Sequence, residues 1–494
     1  MNNSFLDSLK RETNYTKTEN GGVAHKSTLN AVYDMFALGG AYRNRTDEDC
    51  ILLFKNALEE NEELALKCLF YLRDVRGGQG ERRFFRVCFK WLAKEYPEIA
   101  LRNLINIPEF GRWDDLYSVT YSHNDVAIEA FKFMKNQLEL DKKSLAAGNT
   151  EGVSLLAKWL KSENASSIET KKLATATRKA FKLSHKEYRK ILSDLRTRIN
   201  IVEKLMSEGK WEQIEYAKLP SKAGLIYRNA FAKRDAERYE EFINDKETKV
   251  NAGTLYPYDI AHKAFNANNL SLNDIERVTI QKYWDALPDF YNGNEENGLC
   301  VVDVSGSMYG KPLEAAISLG AYIAERGHGP FANHFITFSE YPKLVKFEGV
   351  DIIDKINRCK SADWGMNTNI EAVFDLLLKV ALEKNTLPED IPSRLYILSD
   401  QEFDEGISIE CATKDGILTL LEGIAKKWES FGYKLPQVIF WNLDARNNNI
   451  PAIGEQFTCV SGLSPVLIET VLSGKNGLDL CLEKLLSERY KLIK

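Results

Sequence analysis

The spacing of apolar residues divides the chain into two parts. From residue 28 to about 290, apolar residues recur every three or four positions, as in DEDCILLFKNALEENEELALKCLFYLRDV, which is typical of amphipathic helices. After about residue 295, short apolar runs such as GLCVVDVS, RLYILSD and QVIFWNL alternate with helical stretches. This alternation predicts a doubly wound, mainly parallel sheet covered by helices on both faces. The sequence therefore predicts a multidomain protein, with an all-α part followed by an α/β part.

The domain boundaries follow from the polar segments between these patterns. Residues 1–27 are rich in Asn, Thr, Ser and Lys and predict a flexible arm. The helical domain then spans residues 28–290. The polar segment LPDFYNGNEEN predicts a linker, and the α/β domain spans residues 295–494.

Two segments of the helical domain resemble each other. GRWDDLY (Gly111–Tyr117) and GKWEQIEY (Gly209–Tyr216) both place a basic residue and Trp after Gly, followed by acidic, polar and aliphatic residues. Gly commonly ends one helix, and the Trp begins the next packed face. The echo predicts stacked helical pairs, an α-solenoid.

Composition narrows the class of protein. The 494 residues include eight cysteines with no C-x-x-C spacing, which predicts reduced, buried thiols in a cytoplasmic protein. The first twenty residues lack the apolar core of a signal peptide, and no stretch of eighteen uncharged apolar residues predicts a membrane span. The net charge is −5, with the acidic excess in the α/β half.

Oxygen-bearing side chains follow two of the predicted strands. In CVVDVSGSM, a buried run leads into Asp303, Ser305 and Ser307, and RLYILSD ends in Asp400. Thr368 lies just before a predicted helix. Parallel strands present their ligands at their carboxyl ends, and carboxylate and hydroxyl oxygens suit Mg²⁺ or Mn²⁺ better than zinc. These five residues predict a divalent-cation site.

The same residues do not fit the common catalytic arrangements. An aspartyl-phosphate phosphatase needs a carboxylate two residues after its nucleophile, where this chain has Ser305. DVSGSMYG is not the G-x-S-x-G of a serine hydrolase, and the sequence has no Walker motif. We therefore expect a protein that is not an enzyme.

In order and spacing, the five residues resemble the metal-ion-dependent adhesion site of a von Willebrand factor A domain, over roughly residues 298–494. The resemblance implies that Ser305, Ser307 and Thr368 bind the ion directly, and that the aspartates bind it directly or through water. It also implies that a protein partner contributes a carboxylate to an open position. The segment around Thr368, GMNTN, departs from the glycine-rich loop of that family.

A basic run lies in the helical domain. Lys171–Arg198 contains ten Lys and Arg residues against two acids, and the spacing of several cations can place them on one helix face. Such a face attracts phosphates without sequence preference. A solvated helix face is the alternative interpretation.

LSHKEYRKILSDL followed by MSEGKWEQIEYAKL resembles the RNA-contacting part of the TROVE module of the Ro autoantigen family. The resemblance implies a ring of HEAT-like repeats joined to a von Willebrand A domain. It also implies binding of small non-coding RNAs and of the ends of misfolded RNAs. Four residues match the motif and three match as upstream basic residues, which together predict an RNA site at Arg178, Lys179, Lys182, Ser184, His185, Lys186 and Arg189.

Two hypotheses for function stay open at this point. The first is a non-catalytic RNA-binding protein whose α/β domain takes an acidic protein partner through Mg²⁺. The alternative is a metal-dependent interaction scaffold or structural component that binds no RNA.

Overall fold

A computed structural model shows the predicted two-part layout, a helical N-terminal region followed by a mixed α/β region. The structure describes residues 10, 12–120, 125–149, 151–198, 202–267, 270–271, 273–291, 293, 297–338, 341–361, 369–405, 412–413, 416–472 and 475–494. In the part of the chain so described, no helix is both long and apolar enough to cross a membrane.

The chain enters the fold through a small antiparallel hairpin of β1 (Tyr15–Lys17) and β2 (Val23–His25). The hairpin packs on the α/β region: His25 and Ile450 exchange two backbone hydrogen bonds, and Thr18 Oγ1 donates to the Phe403 carbonyl at 2.6 Å. Over residues 13–27 the structure thus differs from the flexible arm expected from composition. The polar side chains that suggested mobility are used in contacts with distant residues.

The helical region is built from short helices, most of which bury one apolar face. They are α1 (Ala31–Leu38), α2 (Asp47–Glu60), α3 (Glu62–Arg73), α4 (Arg82–Glu95), α5 (Pro97–Asn103), α6 (Ile107–Phe110), α7 (Asp125–Ala146), α8 (Leu156–Trp159), α9 (Ile168–Phe181), α10 (His185–Arg198), α11 (Val202–Ser207), α12 (Ser221–Arg234), α13 (Ala236–Asn244), α14 (Pro257–Ala264) and α15 (Ile275–Asp285).

The two echoing segments are alike at the tryptophan but not at the glycine. In each, a 3₁₀ helix begins at the tryptophan, over Trp113–Ser118 in the first and Trp211–Gln213 in the second. In the second segment Gly209 has φ of +72°, a conformation that favours glycine. Gly111 of the first segment has φ of −122°, so the two turns differ and stacked helical pairs stay a prediction.

The α/β region is organised around a six-stranded sheet with the order β10-β9-β6-β3-β4-β5. All neighbouring pairs are parallel except β4 and β5 at one edge. The strands are β3 (Gly298–Val302), β4 (His334–Thr337), β5 (Leu344–Lys346), β6 (Arg394–Ser399), β9 (Gln437–Asn442) and β10 (Phe457–Ser461), with a separate two-stranded pair, β7 (Ala412–Thr413) and β8 (Gly416–Ile417).

Helices connect these strands and cover the sheet. They are α16 (Lys311–Arg326), α17 (Ile352–Ser361), α18 (Ile370–Lys384), α19 (Leu420–Ser430), α20 (Val466–Val471) and α21 (Gly477–Leu485). The chain leaves β3 towards β4 on one side and later returns to β6 on the other side. In open α/β sheets, ligands bind at such a switch point, outside the carboxyl ends of the strands.

Contacts near both ends of the chain join the helical region and the α/β region. Helix α1 packs against β10, where the Tyr33 hydroxyl accepts from the Cys459 amide at 2.8 Å. In the C-terminal tail, Arg489 and Tyr490 both donate to the buried Asp74 carboxylate of the helical region. These contacts cross the predicted domain boundary and join the two regions.

Candidate functional site

Asp303 lies at the switch point of the sheet. Strand β3 pairs with β6 so that Val302 is opposite Leu398, and the Asp303 amide donates to the Leu398 carbonyl at 3.0 Å. The Asp303 side chain is fully buried. Its carboxylate accepts from the Ser305 amide at 2.8 Å and from the Ser399 hydroxyl at 2.6 Å.

Asp400 follows β6 directly and lies in the same crevice. Its Oδ1 accepts from the Glu402 amide at 3.2 Å, whereas its Oδ2 is buried and has no hydrogen-bond partner among the described residues. Among the described residues, the cation within ion-pair range is Arg446, whose Nη1 lies 3.7 Å from this oxygen, beyond hydrogen-bond distance. A buried carboxylate oxygen left in this way costs free energy.

The two serines complete the part of the site that the structure describes. Ser305 Oγ and Ser307 Oγ lie 3.0 Å apart in the turn after β3. Thr368 lies outside the described residues. The structure thus places Asp303, Ser305, Ser307 and Asp400 after the neighbouring strands β3 and β6, and their role as ligands of one cation stays a prediction.

Electrostatics in the crevice are unfavourable without a further cation. Burial, and the neighbouring Asp400 carboxylate, raise the pKa of Asp303 to about 7, although hydrogen bonds from Ser399 and Ser305 act in the opposite direction. Gln401, which follows Asp400, is buried with φ of +68°, and its Oε1 also has no hydrogen-bond partner in the described structure. Unpaired acceptors and a strained residue together are typical of a ligand site.

The donor set fits a hard divalent cation. Two carboxylates and two hydroxyls offer oxygen atoms only, as Mg²⁺ and Mn²⁺ require. In the described ranges, no group of three or more His, Cys, Asp or Glu side chains could hold a metal ion. A site here would therefore depend on the serine hydroxyls and on further oxygens.

Sequence reasoning missed three residues of this region. Ser399 directly precedes Asp400, so its place at the strand end was readable from RLYILSD. Arg446 and Glu19 gave no signal, because they reach the site from a loop after β9 and from the N-terminal hairpin. Their contacts join residues more than 400 positions apart, with Arg446 Nη2 2.5 Å from Glu19 Oε2.

The residues predicted to bind RNA fall into two groups. Arg178 and His185 both bind Glu163, through contacts of 2.9 Å each, and fasten the end of α9 to the start of α10. The Ser184 hydroxyl accepts from the Glu187 amide at 3.2 Å and caps α10. These three residues have structural roles in the hairpin of α9 and α10.

The second group is exposed, as Ser184 and His185 are, but within the described ranges its side chains lack the contacts that hold the first group. Lys179, Lys182, Lys186 and Arg189 lie on the surface of the same hairpin, and the described part of the chain contains no acidic partner for any of them. Lys182 ends α9 in the left-handed conformation, with φ of +57°. We call these four residues the cation face.

Comparison with known families assigns both regions. Residues 18–132 and 149–289 match the family described as a domain of unknown function, DUF2828. Residues 297–488 match a second domain of unknown function, DUF7788.

These matches correct the resemblances drawn from short motifs. The segments compared with the TROVE module lie within the DUF2828 match, and those compared with the von Willebrand A domain lie within the DUF7788 match. The assignment to the Ro family, with its ring of HEAT-like repeats and von Willebrand A domain, is therefore wrong. A basic helix and a strand-end aspartate followed by serines are short local features, which unrelated chains can share.

One related protein matches almost the whole chain. An uncharacterized protein of Acanthamoeba polyphaga mimivirus is 28% identical over 502 residues, which covers 94% of this chain and 85% of the relative. Because the DUF2828 match alone extends over more than half of the sequence, the chain belongs to the DUF2828 family.

Proposed function

We propose that the α/β region binds Mg²⁺ or Mn²⁺ at Asp303, Ser305, Ser307 and Asp400. The proposal depends on one observation: the buried Asp400 Oδ2 has no hydrogen bond and lies in the same crevice as a second buried carboxylate. A divalent cation would compensate both charges. Thr368, which follows from the sequence alone, is a further proposed ligand.

We further propose that the bound cation takes a carboxylate from a protein partner. The loops after β3 and β4 leave the same edge of the sheet, and they carry Tyr309 and Tyr341, which are 88% and 75% exposed. Exposed tyrosines are enriched at protein interfaces, and a cation selects acidic ligands. The proposed activity is binding, without a catalytic step, in the cytoplasm.

Ser307→Ala is expected to weaken Mg²⁺ binding about tenfold, because one neutral ligand of a hard cation is lost. The measurement is calorimetric titration of EDTA-treated protein with MgCl₂. Ser430→Ala is the matched control, since this exposed serine near the end of α19 donates only to the Lys427 carbonyl among described residues. Equal affinity of the Ser307 and Ser430 variants would exclude Ser307 as a ligand.

The partner class is tested with a capped pentapeptide that carries a central glutamate between leucines. Binding should require Mg²⁺, disappear for the glutamine analogue, and weaken in Tyr309→Ser with Mg²⁺ affinity unchanged. Peptide binding that persists in EDTA would contradict a cation-mediated contact.

A second candidate function, RNA binding, rests on the cation face. Clustered cations that lack acidic partners attract phosphates, mainly through release of counterions. We propose that stacked helical pairs, suggested by the similar segments at Trp113 and Trp211, form the scaffold that presents this face. Small non-coding or misfolded RNA is the proposed ligand class, and the support for it is the cation face.

Reversing the charge of Lys182, Lys186 and Arg189 to glutamate is expected to abolish binding of a structured RNA in a filter assay. In the unmodified protein, affinity should fall about tenfold or more between 50 and 200 mM salt, since several phosphates are contacted. The control reverses three exposed lysines that already pair with neighbouring acids, Lys55, Lys132 and Lys218. Retained binding in the first triple variant would exclude the cation face as the RNA site.

A further inference from the structure

Arg446 lies between the candidate cation site and the N-terminal hairpin. Its Nη1 is 3.7 Å from Asp400 Oδ2, and its Nη2 is 2.5 Å from Glu19 Oε2. Just over a third of the Arg446 side chain is exposed, so the guanidinium can move. Among the described residues, no other cation lies within ion-pair distance of Asp400.

Glu19 lies in the N-terminal hairpin, which forms hydrogen bonds with the segment directly after Asp400. The Glu19 amide donates to Glu402 Oε2 at 2.7 Å, and Asn20 Nδ2 donates to the Glu402 carbonyl at 2.7 Å. Asn447, next to Arg446, donates to both Glu19 and Glu402, at 3.2 and 3.0 Å. The hairpin, the Arg446 loop and the cation site therefore share one polar network.

One further carboxylate, that of Asp444, interacts with Arg446. Asp444 is half-buried, and burial raises its pKa, while Arg43 and, more weakly, Arg446 lower it. Asp444 also accepts from Asn44 at 3.0 Å. The oxygen of Asp400 that would face a bound cation is thus balanced mainly by Arg446, which Glu19 holds from the other side.

We propose that Arg446 is an internal counter-ion that competes with the divalent cation for Asp400, and that Glu19 weakens this competition by holding the guanidinium. The inference rests on the cation site proposed above. When the cation binds, Arg446 is repelled and pairs fully with Glu19. Cation binding and docking of the hairpin then favour each other, as linkage between two sites requires.

The test compares Mg²⁺ affinities, with the metal alone as the probe. Arg446→Gln should bind Mg²⁺ about tenfold more tightly, because a positive charge is removed near the site. Glu19→Gln should bind severalfold more weakly, because Arg446 is released towards Asp400. The double variant should bind Mg²⁺ more tightly than Glu19→Gln, since the guanidinium that Glu19 releases is then absent. Opposite signs in the two single variants are not expected from simple damage to the fold.

Arg358→Gln and Glu348→Gln serve as the matched control pair, since these residues form a comparable ion pair at 3.6 Å elsewhere in the α/β region. Hydrogen exchange over residues 15–25 is the second readout and should slow on addition of MgCl₂ in the unmodified protein. Unchanged or weaker binding by Arg446→Gln would overturn the counter-ion role and leave the cation site standing. Absence of Mg²⁺ binding by the unmodified protein and by Arg446→Gln would overturn both.

Discussion

Asp115→Ala is expected to destabilise the helical region by about 3–5 kcal/mol, because it leaves a buried charge without its partner. Arg73 is 1% exposed, and its Nε donates to Asp115 Oδ2 at 2.8 Å. Asp115 Oδ1 accepts from Arg86 Nε at 2.7 Å, and Asp115 Oδ2 also accepts from the Arg112 amide at 2.9 Å. One fully buried carboxylate thus joins α3, α4 and the turn GRWDDLY.

The neighbouring Asp114 is the control for this prediction. It pairs with Arg86, Arg112 and Lys161, whose side chains are each between a fifth and a third exposed. Water can solvate these cations when the carboxylate is removed, so Asp114→Ala should cost only about 1–2 kcal/mol. Urea unfolding followed by circular dichroism measures both variants. Equal losses would show that burial of Arg73 is not the dominant cost.

Asp303→Asn is expected to reduce Mg²⁺ affinity by at least about a hundredfold, because a charged ligand of the cation is removed. The same change should stabilise the protein when no divalent cation is present. Two buried carboxylates in one crevice repel each other, and burial with Asp400 raises the pKa of Asp303 to about 7. Asparagine keeps the shape of the side chain and one carbonyl acceptor.

Thermal unfolding with EDTA and with MgCl₂ separates these two effects. In EDTA, the melting temperature of Asp303→Asn should exceed that of the unmodified protein, whereas added MgCl₂ should raise only the latter. Asp390 is an exposed carboxylate shortly before the start of β6, far from the carboxyl ends of the strands. Asp390→Asn should leave the melting temperature unchanged both in EDTA and in MgCl₂. Stabilisation of Asp303→Asn by MgCl₂ equal to that of the unmodified protein would refute the cation site.

The buried carboxylate of Asp115 and the buried carboxylates of Asp303 and Asp400 differ in how their charge is compensated. Asp115 is surrounded by cations and hydrogen-bond donors, so its charge is compensated within the fold. Asp303 and Asp400 lie in one crevice and repel each other, and the charge of Arg446 reaches Asp400 from beyond hydrogen-bond distance. Natural proteins tolerate such unfavourable arrangements mainly at functional sites.

Local patterns predicted the elements with good accuracy. The apolar runs GLCVVDVS, RLYILSD and QVIFWNL contain β3, β6 and β9, and helices lie between these strands as the alternation predicted. Short strands were harder, since β5 is an edge strand of three largely exposed residues and carries little apolar signal. Family membership was outside the reach of these patterns, because motifs of five to ten residues recur in unrelated chains.

The sequence by itself determined the two-part layout and the main helices and strands, whereas the cation site at Asp303, Ser305 and Asp400 stays a prediction. These features depend on interactions between near neighbours and on the rule that parallel strands end at the same edge. Tertiary structure alone decided that the N-terminal hairpin docks beside Asp400, that Arg178 and His185 are held by Glu163, and that Arg446 faces the site. Some of these contacts join residues more than 400 positions apart, and no local pattern encodes which surfaces will meet.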